Sequence, residues 1–309
     1  MKGPRATLRG MGQATARIPH HRRAWVRIFF GGVFLWLASV LVTFVTENSN
    51  LVPTVILVGS FLVPVTFVAY AFEHRASETL TEHTIFVGFV YGGILGVLGA
   101  SLLEAAFLGQ EPLPAYVGVG LIEEGCKLAV LWFIARRLPE YLTRDGVVLG
   151  AAVGFGFAAF ETAGYAFNAL FTIKGLSLSN LVETQFLRGV LTPLGHGLWT
   201  GILGGVLFHS ARRGRLRLSL GLVLWYVLVS LLHAFWDASG GIAAILVMLL
   251  TASSMQQQLL ELGRMPSPTP LQVLLFTIVS ISFLVLDSIV GILLFIGRWR
   301  ARDSLRSPV

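Results

Sequence analysis

Glu123, Glu124 and Lys127, then Glu161, then His196, then His233 with Asp237, stand inside four apolar stretches, each long enough to cross a bilayer. A charged side chain near the bilayer centre costs about 2.5 to 3.5 kcal/mol even on the lenient insertion scale, so such groups persist where they face one another or a wet cavity. Carboxylates beside imidazoles supply general acid–base catalysis, metal coordination or a proton path. The spacings suit these roles. Glu123 and Lys127 lie one helical turn apart, as do His233 and Asp237, while Phe157 and Glu161 share a face with Gly150, Gly154 and Asn168, and Thr200 follows His196 by one turn. If every acid is ionised, four carboxylates against Lys127 leave three excess negative charges in a poorly solvated place. Relief must come from protonation, from charged His196 and His233, from Arg188, or from a bound divalent cation.

The elements that position these groups read as helices. Windows of about 20 apolar residues predict spans near 26–46, 51–72, 84–108, 115–135, 146–172, 187–209, 218–240 and 271–297. The stretch 241–255 is apolar but short and begins at the breaker Ser239-Gly240-Gly241, so it is expected to dip into or lie on the outer face. Basic residues at the N-terminal arm, Arg136–Arg144, Arg212–Arg217 and the tail flank the spans and place both termini inside. The expected fold is therefore an all-α polytopic transmembrane bundle of about eight spans, N-in and C-in. It comprises a flexible basic cytoplasmic arm over 1–24, one helical domain over 25–300, and a cytoplasmic tail over 301–309. At 1.5 Å per residue, this topology puts all the polar groups in one outer slab, roughly 5 to 17 Å deep. Glycines at four-residue spacing in three spans (Gly88, Gly92, Gly96; Gly146, Gly150, Gly154; Gly197, Gly201, Gly205) read as close helix packing.

Composition agrees. Of 309 residues, 55% are hydrophobic and 13% charged, which excludes an ordinary soluble domain with its roughly 25% charged content. The formal charge of +7 sits beside the spans, so it marks loop orientation and not a nucleic-acid partner. Cys126, alone in the chain, forms no internal disulfide. The first apolar run lacks a small-residue cleavage site and reads as a retained span.

Glu123-Glu124-Gly-Cys-Lys127 reads as EExxK, Phe157-Ala-Ala-Phe-Glu161 as FxxxE, and His233-Ala-Phe-Trp-Asp237 as HxxxD, with His196 between the last two. This order on successive spans resembles the PrsW family of intramembrane proteases, related to the CAAX prenyl protease and bacteriocin-processing group. The resemblance covers roughly 85–240. The wider group more often carries an arginine after its double glutamate and a histidine in its second motif, so Lys127 and Glu161 favour PrsW. The resemblance implies a multi-pass protein of a prokaryotic plasma membrane that cleaves a membrane-protein substrate, in the best-known role an anti-sigma factor. Amide hydrolysis needs a base for water, an oxyanion stabiliser and an acid for the leaving amine. The expected roles are Glu123 or Glu124 as base, His196 and His233 as metal ligands or oxyanion donors, Glu161 as a third ligand, and Asp237 orienting His233. Two histidines and a carboxylate suit one catalytic zinc, although HExxH is absent and a metal-free glutamate mechanism stays open.

Bland readings stand beside these. Glu123 and Glu124 could merely pair with Lys127, and Arg188 reads as an interfacial side chain that snorkels. Glu104 reads as interfacial, and Asp287 has no partner in sequence. A proton- or ion-coupled transporter is the competing function, because intramembrane acids and histidines also mark ion paths.

Overall fold

The computed structural model describes residues 23–75, 77–108 and 112–300; most of the expected arm and all of the 301–309 tail lie outside the described residues. The chain runs through α1 (Ala24–Thr46), α2 (Val52–Glu73), α3 (Glu82–Phe107), α4 (Pro112–Ala135) and α5 (Thr143–Leu170). A short hairpin of β1 (Phe171–Thr172) and β2 (Gly175–Leu176) follows, then α6 (Leu178–Leu191), α7 (His196–His209), α8 (Leu220–Thr251), α9 (Ser254–Glu261) and α10 (Pro270–Arg300). Among the described residues, seven helical segments are long and apolar enough to cross a membrane: α1, α2, α3, α5, α6 with α7, α8 and α10. The expected eighth, α4, has the length at 24 residues, but every spanning window in it contains Glu123, Glu124 and Lys127. The chain is thus a polytopic helical bundle.

α5 is its spine. Its spanning window is 83% buried against 6% for α1, because α7, α3, α2 and α6 pack around it. Small residues permit this. A Cβ at Gly150 would overlap the carbonyl oxygen of Thr200, and one at Gly154 the carbonyl oxygen of His196, so the two backbones meet along successive turns. The close approach fixes the start of α7, where His196 is the first residue, against the middle of α5. Toward the Ala135 end of α4 the interior turns apolar, with Leu131, Leu149, Val153 and Leu207 in one cluster.

Two expected spans are corrected. The stretch 187–209 is not one helix: α6 ends at Leu191, Thr192–Leu194 form a 3-10 turn, and α7 starts after Gly195. Pro193 is the cause, since it has no N–H to donate and its ring crowds the preceding turn. The second correction concerns 241–255. α8 does not stop at Ser239-Gly240-Gly241 but continues to Thr251, 32 residues in all. Two glycines cost about 1 kcal/mol each in a helix, whereas unpaired backbone groups in an apolar setting cost several, so the apolar run beyond them stays helical. α9 then begins with a capping box between Ser253 and Gln256.

One amide ties α6 to the first two helices. Gln185, buried, donates from Nε2 to the carbonyls of Val55 (3.0 Å) and Ile56 (2.9 Å), and its Oε1 accepts from Trp36 Nε1 (2.9 Å). This pins α6 to α1 and α2.

These contacts set a contrast. Gly150→Val should lower the unfolding free energy by about 1–3 kcal/mol through overpacking against α7. Gly240→Ala, which meets nothing within 4 Å, should leave it unchanged or raise it by about 0.5–1 kcal/mol. Equilibrium unfolding of both variants in mild detergent checks this.

Candidate active site

Four helices bring the ionisable side chains to one place. α4 contributes Glu123, Glu124 and Lys127, α5 Glu161, α7 His196, and α8 His233 and Asp237. Lys127 Nζ lies 3.0 Å from Glu123 Oε2, 2.8 Å from Glu124 Oε1 and 2.8 Å from His196 Nδ1, over the Phe157 ring at 3.9 Å from its centroid. The ammonium is fully buried, and i,i+3 and i,i+4 geometry within α4 delivers both carboxylates to it. The apolar faces of Phe157 and Trp199 wall the cluster, and Trp199 stacks on His233 with ring centroids 4.6 Å apart.

Each imidazole has one nitrogen turned toward Glu123 and the other on a separate carboxylate. His196 Nδ1 is 3.9 Å from Glu123 Oε2, while its Nε2 is 2.9 Å from Glu161 Oε2. His233 Nε2 is 3.5 Å from the same Glu123 oxygen, while its Nδ1 is 3.1 Å from Glu124 Oε1. The opposite carboxylates therefore orient the rings and present two nitrogens and one oxygen to a common point. Glu124 is saturated, because its Oε2 also accepts from Thr200 (3.3 Å). Asp237 differs. Its Oδ2 lies 3.4 Å from His233 Nε2 and its side chain is 30% exposed, against 8% for Glu123 and none for Glu124.

Arg188 does not snorkel to the interface. From α6 its Nη2 pairs with Glu161 Oε2, its Nε donates to Thr162 Oγ1 (2.9 Å), and its guanidinium lies over the Tyr165 ring. The ion count changes accordingly: Glu123, Glu124, Glu161 and Asp237 against Lys127 and Arg188 leave a formal −2 with both imidazoles neutral.

All six sequence-derived site residues, Glu123, Glu124, Glu161, His196, His233 and Asp237, join this network. Among the described residues the group able to share one ion is Glu123, His196 and His233, whose ligand atoms lie within 4.8 Å of one another. That differs from the expected ligand set Glu161, His196 and His233, because Glu161 faces Arg188 and the far nitrogen of His196. The donor set fits a divalent metal. A tetrahedral ion with bonds of about 2.0–2.2 Å separates its ligand atoms by about 3.4 Å, close to the 3.5 and 3.9 Å from Glu123 to the two rings. Histidines that bind metal place their second nitrogen on a carboxylate or carbonyl, as both do here. A +2 ion would also cancel the formal charge. Lys127 would have to release His196 Nδ1 and keep its two glutamates. Arg188 and Trp199 were not singled out as site residues; the three-residue step from His196 to Trp199, one helical turn, was the available signal for the second.

Comparison with known proteins agrees with this geometry. Residues 27–259 match the family model described as PrsW family intramembrane metalloprotease. A protease PrsW of Halalkalibacterium halodurans is 29% identical over 172 residues, covering 55% of this chain and 74% of that protein. An undecaprenyl-diphosphatase of Methanothrix thermoacetophila is 23% identical over 159 residues, 52% of this chain and 62% of that protein. No solved structure matches. With three quarters of its length matched and its intramembrane carboxylates and histidines gathered into one metal-compatible cluster, the chain belongs to the PrsW family of intramembrane metalloproteases.

Proposed function

We propose that this multi-pass membrane protein hydrolyses a peptide bond of a membrane-protein substrate at the Glu123–His196–His233 cluster. The observation that supports it is the convergence of Glu123 Oε2 and two imidazole nitrogens, each ring fixed from behind by its own carboxylate. With α4 counted as an eighth crossing despite its charges, both ends of the bundle lie inside and the site faces the outer half of a cell membrane; an anti-sigma-factor-like protein is the first substrate to test, as the family suggests.

Glu123, His196 and His233 would hold one divalent metal, with zinc the first choice for this donor set. A metal held there would supply Lewis-acid chemistry to the scissile carbonyl and to an attacking water. The protein's own groups do the rest. Glu161 keeps a proton on His196 Nε2 and Glu124 keeps one on His233 Nδ1, which leaves the opposite nitrogens free to act as ligands. Lys127 offsets the charge of the adjacent glutamates in a dry setting. Asp237, the most exposed carboxylate and not saturated by donors, takes the proton from the water and delivers it to the leaving amine. The aromatic walls at Phe157 and Trp199 exclude bulk water and strengthen each electrostatic contact.

Substitutions separate these roles. Glu123→Gln should abolish stoichiometric zinc in the purified protein, measured by inductively coupled plasma analysis, together with cleavage. Glu161→Gln should retain zinc but bind it roughly 10–100-fold more weakly. A Glu123→Gln protein with full zinc would sink the ligand assignment.

Asp237→Asn should keep zinc and lower kcat by about 100-fold or more, as expected for loss of a general acid–base group. The readout is appearance of substrate fragments in proteoliposomes against time. Undiminished cleavage by both Asp237→Asn and Glu123→Gln would end the protease reading of this cluster, and proton-coupled flux in the same vesicles would support a transporter instead.

A further inference from the structure

Arg188 and His196 stand on opposite sides of the break between α6 and α7, and they meet on one atom. Glu161 Oε2, from α5, accepts from Arg188 Nη2 on the α6 side and lies 2.9 Å from His196 Nε2 on the α7 side. The intervening Thr192–Leu194 turn and Gly195 give α7 no side-chain cap, so no hydrogen bond from a capping side chain steadies the turn that begins with His196. The carboxylate does so from across the interface. Arg188 is itself fixed at three points of α5, at Glu161, at Thr162 Oγ1 (2.9 Å) and over Tyr165 (4.2 Å to the ring centroid). One turn earlier on α6, Gln185 secures the helix to α1 and α2.

We propose that Arg188 is a positioning residue for the reaction: by clamping Glu161 across the α6–α7 break it holds the carboxylate that aims His196 Nδ1 at the shared centre with Glu123. The inference rests on the protease and metal reading above. The arginine fork is suited to this role, because one guanidinium donates to the carboxylate and to the neighbouring hydroxyl in a fixed plane while stacking on an aromatic ring. A lysine keeps the charge but not the fork. Without either cation Glu161 has no guanidinium partner, is free to turn toward solvent, and His196 loses the acceptor that fixes its tautomer.

The test uses the full-length protein in detergent, with zinc ion alone as the probe, titrated against a chromophoric chelator, and with kcat and KM measured separately on the wild-type substrate. Arg188→Ala should weaken zinc binding and lower kcat by roughly 10–100-fold each, with KM changed by no more than about twofold. Arg188→Lys should recover part of both losses, and it serves as the folded comparison if the alanine variant is unstable. A structural role alone would lower the unfolding temperature and leave zinc affinity and kcat per folded molecule at wild-type values in both variants, which would overturn the proposal. A wild-type protein that neither binds zinc nor cleaves would remove the underlying reading instead, so the two failures are distinct.

Discussion

A single ammonium buried between two adjacent glutamates is the constraint around which the rest is arranged. Lys127 is fully buried, with Glu123 and Glu124 at hydrogen-bond distance, and its ammonium offsets the charge that these two acids would otherwise concentrate in a dry place. Removing one partner of such a buried set leaves an uncompensated charge, at a cost of about 3–5 kcal/mol. The remaining charges follow the same logic at longer range: Glu161 is answered by Arg188, and the residual negative charge is what makes a divalent ion welcome. The polar centre is therefore a set of matched charges with one deliberate deficit.

Backbone packing converts that set into a shaped site. α5 meets α7 at glycine positions, so the peptide groups touch and the side chains at their borders have little freedom to drift. His196 leads its helix at this seam, directly after a break that Pro193 imposes. The break turns one apolar stretch into two short rods that can point in different directions. α6 carries a cation and α7 an imidazole to the same oxygen of Glu161.

The fold class and the members of the cluster were legible because the cost of an intramembrane charge makes every such residue conspicuous in an apolar run. Glu123, Glu124, Lys127, His196, His233 and Asp237 announce themselves in that way, and helical spacing pairs them correctly within α4 and α8. What spacing along one helix does not report is which carboxylate faces which ring across helices. For that reason Glu161 was read as a ligand, whereas its side chain lies behind His196 and Glu123 lies in front. Arg188 was read as interfacial because it stands near an expected span end, and only the inward turn of α6 reveals its partner. The Pro193 break had a local signal that the apolar average concealed. At Gly240-Gly241 the opposite happened: the local breaker signal lost to the need to keep backbone groups paired.

Those two glycines, one turn beyond Asp237, sit in a continuous helix, and a Cβ on either would meet nothing within 4 Å. Glycine and serine neighbours are where long helices bend most readily. The mechanical compliance of α8 is thus concentrated immediately past the exposed acid, while its His233 half stays clamped against Trp199 and Glu124. The joint lies between two anchored halves, with His233 on Glu124 at one end and Thr251 on Gln272 at the other.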